Sequence, residues 1–162
     1  MNRVLRVVIP AMILLGITAG IALATPGIGI LSAPVQARGT IAERLNVHTN
    51  AGIKLQTKDA LDVVTQQIVI APGGTTGWHS HPGPVLVTIK SGAMTLVYAD
   101  DATCQGRVYT AGQSFVDRGD EFVHTALNRG SGNLEFWATY LVPGEPGAPA
   151  RLDAPASGTC GF

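Results

Sequence analysis

The sequence carries no block of one charge: its 11 basic and 11 acidic residues cancel, and neither sign is massed in a run. That excludes a nucleic-acid surface and a polybasic membrane patch, and leaves a small molecule or a metal as the expected partner. Beyond residue 40 no stretch keeps a helical apolar period, although Asp59 to Thr65 is open to a first turn of helix. Cysteine is nearly absent, with Cys104 and Cys160 the only two. None lies near the small-residue sites Ala22-Leu23-Ala24 and Val35-Gln36-Ala37, which excludes a lipid-modified cysteine. From Val7 to Ala24 there is no charge at all, whereas Arg3 and Arg6 precede the run. A positive start followed by an uncharged apolar run is the pattern of a secretory signal or a signal anchor. Cutting after Ala24 or Ala37 would release the domain; without a cut, the run is long enough to span a bilayer.

What is present is turn chemistry. The chain has 20 glycines and 10 prolines, many of them punctuating short Val/Ile/Thr/Tyr-rich runs. Strand-like runs at Val63 to Ala71, Val85 to Lys90, Met94 to Ala99, Phe122 to Leu127 and Leu134 to Val142 are separated by clusters such as Pro82-Gly83-Pro84 and Arg118-Gly119-Asp120. This rhythm predicts an all-β sandwich or barrel. The length suits one core. The division expected is residues 1–24 as signal or anchor, 25–40 as a Gly/Pro/Ala/Ser-rich linker, 41–145 as the β domain, and 146–162 as an irregular, proline-containing tail held chiefly by Cys160. An exported chain meets an oxidising environment, so Cys104 and Cys160 are expected to pair. Closing that loop stabilises by about 4 kcal/mol in the chain-entropy view.

The candidate site lies between Gly73 and Gly92. His79 and His81 are one residue apart, and residues i and i+2 of a strand project from one face. His124 follows in a later run, where Phe122 and His124 are expected to point inward together. Three neutral imidazoles brought together make a site for a divalent transition metal. His48, alone in a polar run, reads as a surface or core-edge residue. Trp78, Trp137, Tyr98, Tyr109 and Tyr140 are candidates for cavity lining or core, and Trp78 is expected to face away from its histidine neighbour.

In these residues the sequence resembles the cupin superfamily. Gly73, His79, His81 and Gly92 keep the spacing of its first motif, with Val85 where the family usually has glutamate. Gly112, His124 and Asn128 match the second motif, with Arg118-Gly119-Asp120 in place of the usual Pro-X-Gly turn and one extra residue before the histidine. The resemblance implies a cupin-type double-stranded β-helix, a jelly-roll barrel, with His79, His81 and His124 on a metal. Iron is the metal first expected, with zinc, manganese, nickel or copper as alternatives. A site without the glutamate leaves the full dipositive charge for water or an anionic ligand to neutralise. Three-histidine cupin sites resemble those of thiol dioxygenases. That resemblance implies an iron-dependent dioxygenase of a small anionic or thiol substrate, and the N-terminal run adds the expectation that it is exported: secreted, periplasmic or membrane-anchored. A non-catalytic metal- or ligand-binding module is the alternative. A sugar isomerase or epimerase would need an acid and a base, and no such pair is evident in the sequence. Gln113, Asp117, Asp120 and Glu121 lie near the second motif, none of them at a ligand position. The resemblance also allows a homodimer. No catalytic residue is assigned.

Overall fold

A computed structural model describes residues 24–162. The apolar segment expected at residues 1–24 lies outside the described residues except for Ala24. The described chain is all β, with thirteen strands and no helix. They are β1 (Ile28–Ser32), β2 (Val35–Ile41), β3 (Asn46–His48), β4 (Lys54–Gln56), β5 (Leu61–Thr75), β6 (His79–Ser80) and β7 (Val85–Ser91). Next come β8 (Ala93–Tyr98), β9 (Arg107–Thr110), β10 (Ser114–Asp117), β11 (His124–Leu127), β12 (Leu134–Pro143) and β13 (Leu152–Asp153).

All but β3 and β4 belong to one 11-stranded sheet, ordered β10-β7-β12-β5-β11-β6-β13. Strands β1 and β2 pair with β5, while β8 joins β11 to β9. The sheet folds into two facing layers. One layer is β10-β7-β12-β5 and the other is β9-β8-β11-β6-β13, with Leu127 of β11 opposite Thr75 at the end of β5. The result is a double-stranded β-helix, a jelly-roll barrel with antiparallel pairing throughout.

Alternation explains the filling. On β7, Val85, Val87 and Ile89 are buried while Leu86 is exposed. On β12, Phe136 and Ala138 turn inward beside them. Tight β7–β8 reversal needs Gly92, whose φ is 79° and whose added Cβ would meet the backbone of Asn133. A second core lies outside the barrel wall, where Trp78, Val97, Leu127, Ala154 and Cys160 pack together. Trp78, just before β6, is thus a core residue of this second cluster and does not line the cavity of the histidines.

Three expectations need correction. Residues 25–40 are not a linker: β1 and β2 add to the edge of β5, with Ala37 opposite Thr65, Gly39 opposite Val63 and Ile41 opposite Leu61. Their Gly, Pro and Ala content hid this, because these strands are almost wholly exposed and are held by backbone pairing rather than an apolar face. Among the described residues the β structure accordingly already starts at Ala24, which bridges Pro155, and not at residue 41. The stretch open to a helical turn at Asp59 to Thr65 enters β5 at Leu61. The tail is not merely irregular. Besides the Cys104–Cys160 disulfide, β13 pairs with β6, and Gly147 N–H donates to buried Asp62 at 2.9 Å. Asp62 also accepts from Arg38 Nε at 2.7 Å and Thr40 Oγ1 at 2.6 Å, and these bonds, Gly147's first, hold its carboxyl down at about 2.

Candidate metal centre

His79 opens β6, His81 follows β6, and His124 opens β11 directly opposite His79. Gly77 sets up this approach. Its φ is 71°, and an added Cβ would strike the backbone of Thr25 and Pro26, so only glycine lets the chain pass there. The three rings gather at centroid separations of 4.8 Å for His79–His81, 4.4 Å for His79–His124 and 5.1 Å for His81–His124. One ligand atom from each lies within 4.8 Å of the others. His48 stands apart, exposed on the small β3–β4 sheet.

Hydrogen bonds define which nitrogen is free. His79 Nδ1 lies 2.8 Å from Gly77 O, His81 Nδ1 2.7 Å from Ala150 O, and His124 Nδ1 3.0 Å from Phe122 O. A carbonyl oxygen only accepts, so in each ring Nδ1 carries the proton and Nε2 keeps its lone pair. Among the described residues, none of the three Nε2 atoms makes a hydrogen bond, and all three side chains line one cavity. Burial keeps the rings neutral. It drives His79 well below the usual imidazole value, takes His81 to about 4, and lowers His124. Three bare, neutral, converging imidazoles are the donor set a borderline divalent metal takes.

Asp117 stands behind this set. It is 2% exposed, its Oδ2 is 3.2 Å from His124 Nδ1, and its Oδ1 accepts from Gly119 N–H at 2.8 Å. The Nδ1–H of His124 goes to Phe122 O, so Asp117 is a buried negative charge behind the ring, on the side away from Nε2, and favours a basic imidazole. The inward alternation of Phe115, carried one step on, places it there. Gln113 instead accepts from Thr110 at 2.7 Å, and Asp120 and Glu121 are exposed. Those two take φ values of 54° and 65° after Gly119 at 67°. Three left-handed residues in succession absorb the extra residue before His124. Phe122 does not share the inward face of His124 as the alternation suggested. It is 38% exposed under the Arg118 guanidinium, because β11 starts only at His124.

Val85 is 1% exposed and lines the cavity, so no carboxylate stands at the glutamate position. Tyr140 also lines it, 5.2 Å from His81 between ring centroids, whereas Tyr109 stacks on Phe115 at 4.1 Å. Tyr98 lies 5.6 Å from His124. Trp137 is half-buried and does not line the cavity.

No known protein-family model matches the chain, and no curated protein matches it. Among solved structures, the chain is similar to an uncharacterised conserved protein with a double-stranded β-helix domain from Klebsiella pneumoniae subsp. pneumoniae. Identity is 22%, coverage 68% of this chain and 91% of that one, and the TM-score 0.47. It is also similar to a cupin domain from Bordetella pertussis Tohama I, at 21% identity over 75% of this chain and 99% of that one, TM-score 0.45. A third is Bacillus subtilis oxalate decarboxylase, a protein with Mn(II) centres, at 19% identity over 56% of this chain and 23% of that one, TM-score 0.47. These likenesses are distant; the fold rests on the strand pairing and the chemistry on the side chains described above.

Proposed function

We propose that this barrel is a metal-binding protein of the cell envelope or exterior, with His79, His81 and His124 holding a divalent transition metal through Nε2. The observation that carries the reading is the hydrogen bonding of all three Nδ1 atoms to backbone oxygen, which leaves three bare nitrogens at one end of one cavity. Iron(II) is the metal we favour, and its chemistry there would be activation of dioxygen toward a small anionic or thiol substrate. The chain's own residues supply the rest. The three imidazoles bring no charge to offset the cation, so an anion is the ligand that balances it. Apolar side chains at Val85, Val87 and Phe115 form the cavity wall beyond the imidazoles.

Among the described residues no carboxylate lines the cavity, and burial pushes the Tyr140 phenol up to about 12. An acid–base pair for sugar isomerisation is thus missing, which favours the dioxygenase or a non-catalytic ligand-binding role. Export is part of the proposal. It is supported by the uncharged run ending at Ala24 and by the Cys104–Cys160 bridge, a bond typical of oxidising compartments. The test is elemental analysis of purified protein followed by oxygen uptake with candidate thiols and carboxylates. One metal per chain with substrate-dependent uptake supports the dioxygenase. One metal without uptake leaves the binding module, and failure to take up Fe, Mn, Ni, Cu or Zn overturns the metal centre.

A further inference from the structure

The cavity that ends on the histidines has a volume of about 230 Å³, below the roughly 300–1,000 Å³ of sites for drug-sized ligands. Strand register sorts its wall into layers. Val85 lies opposite both Tyr140 and Asp117, in the layer of the histidines. One step along, Val87 lies opposite Ala138 and Phe115, and Ala126 lies opposite Leu96. The interior beyond the imidazoles is therefore hydrocarbon, with Met94 and Phe136 at its far side.

One charged side chain other than the imidazoles lines this cavity among the described residues: Arg151, from the tail. Its guanidinium is fixed from two sides, with Nε donating to Asp153 Oδ1 at 2.6 Å and Nη2 to Thr76 O at 2.9 Å. Among the described residues Nη1 has no acceptor. Register sets the charge at the histidine end: Asp153 lies opposite His79 and Leu152 opposite Ser80, which carries Arg151 to the level of His81. Other polar groups of the lining are engaged: Tyr140 O–H donates to Gln66 Oε1 at 2.9 Å, Gln66 Nε2 to Ala33 O at 2.6 Å, and Thr76 O–H to Gly77 O at 3.2 Å.

We propose that the cavity takes a small monocarboxylate, with its carboxylate on Arg151 at the histidine end and its short apolar body in the barrel. An organic cation would face Arg151 with no carboxylate in the lining to pair with. A sugar or a phosphate would need several free donors, and the wall offers one guanidinium edge above hydrocarbon. The inference rests on the metal reading in that both place the ligand's anionic end beside the three imidazoles.

The test is titration of the full chain with acetate, isobutyrate and neutral isobutyramide, followed by ligand-observed NMR, with metal content measured on the same samples. Isobutyrate should bind at least tenfold more tightly than isobutyramide, and affinity should rise about fourfold per added methyl from acetate. Arg151→Gln should bring isobutyrate down to the level of the amide, and Arg151→Lys should retain part of the preference. Equal binding of acid and amide, or an Arg151→Gln variant that binds isobutyrate like the parent, overturns the proposal. If Arg151→Gln does not fold, the acid–amide comparison on the parent chain decides. Acid-selective, Arg151-dependent binding in a chain that takes up no metal supports the carboxylate site and sinks the metal centre. One metal per chain without acid selectivity does the reverse.

Discussion

Val85 lies opposite Asp117, the buried carboxylate behind His124, and is 1% exposed in the wall of the cavity. Replacing it by glutamate puts a carboxylate where the three imidazoles can share a cation with it. In a chelator competition, Val85→Glu should raise metal affinity by about tenfold or more, worth about 1.4 kcal/mol. Without metal, the same change buries an unpaired acid and should lower stability in urea by roughly 1–3 kcal/mol. The histidines give a second expectation for the metal-free protein. In the unfolded chain they titrate near 6.5, whereas His81 in the fold does so at about 4 and His79 well below the usual value. Below 6.5 the unfolded state binds the extra protons, so stability is full above that pH and falls as pH drops toward 4. The slope reaches at most about 1.4 kcal/mol per pH unit for each histidine, and thermal melts of chelated protein at stepped pH measure it. The three histidines were legible as a cluster because i, i+2 spacing and turn glycines are local signals. Their acceptors were not, because Gly77 O, Ala150 O and Phe122 O are backbone atoms that any residue carries.

Elements at both ends of the described residues support the histidine cluster. Ala150 O, just before β13, holds His81, while Asp153 of β13 lies opposite His79. A two-residue strand has no periodicity to read, so only its partners define it. The Cys104–Cys160 bridge anchors this tail with a sequence separation of 56. Replacing both cysteines by serine should cost about 4 kcal/mol in urea unfolding on the chain-entropy account. Metal affinity should fall with it, since the acceptor of His81 loses its tether. Parent-like metal affinity in the double variant would show that β13 pairing alone holds the site. At the other end, Thr25 Oγ1 accepts from Trp78 N–H at 2.7 Å, and Thr25 N–H donates to Ala154 O at 3.1 Å. A cut after Ala37 would remove β1 and the start of β2, and with them Ile30 and Ala33 from the cavity wall. A cut after Ala24 spares every one of these contacts. Mass spectrometry of exported protein should therefore find Thr25, and not Arg38, as the first residue.

For the whole molecule, the histidine cluster is a junction. His124 belongs to β11, which meets β5 of the opposite layer; His79 belongs to β6; and His81 is tied to the tail. An ion on these rings would join elements far apart in the chain, so its binding free energy would add to global stability rather than to one loop. At one hundred times its dissociation constant a bound metal contributes about 2.7 kcal/mol. In a domain of this size that corresponds to a melting shift on the order of 10 °C, reversed by chelation. Hydrogen exchange locates the effect: slowing in β6, β11 and β13 together, with the peripheral β3–β4 hairpin unchanged, marks an ion at the junction. A melt that does not move with Fe(II), Mn(II), Ni(II), Cu(II) or Zn(II), or slowing confined to β3–β4 near His48, would place the metal elsewhere or nowhere.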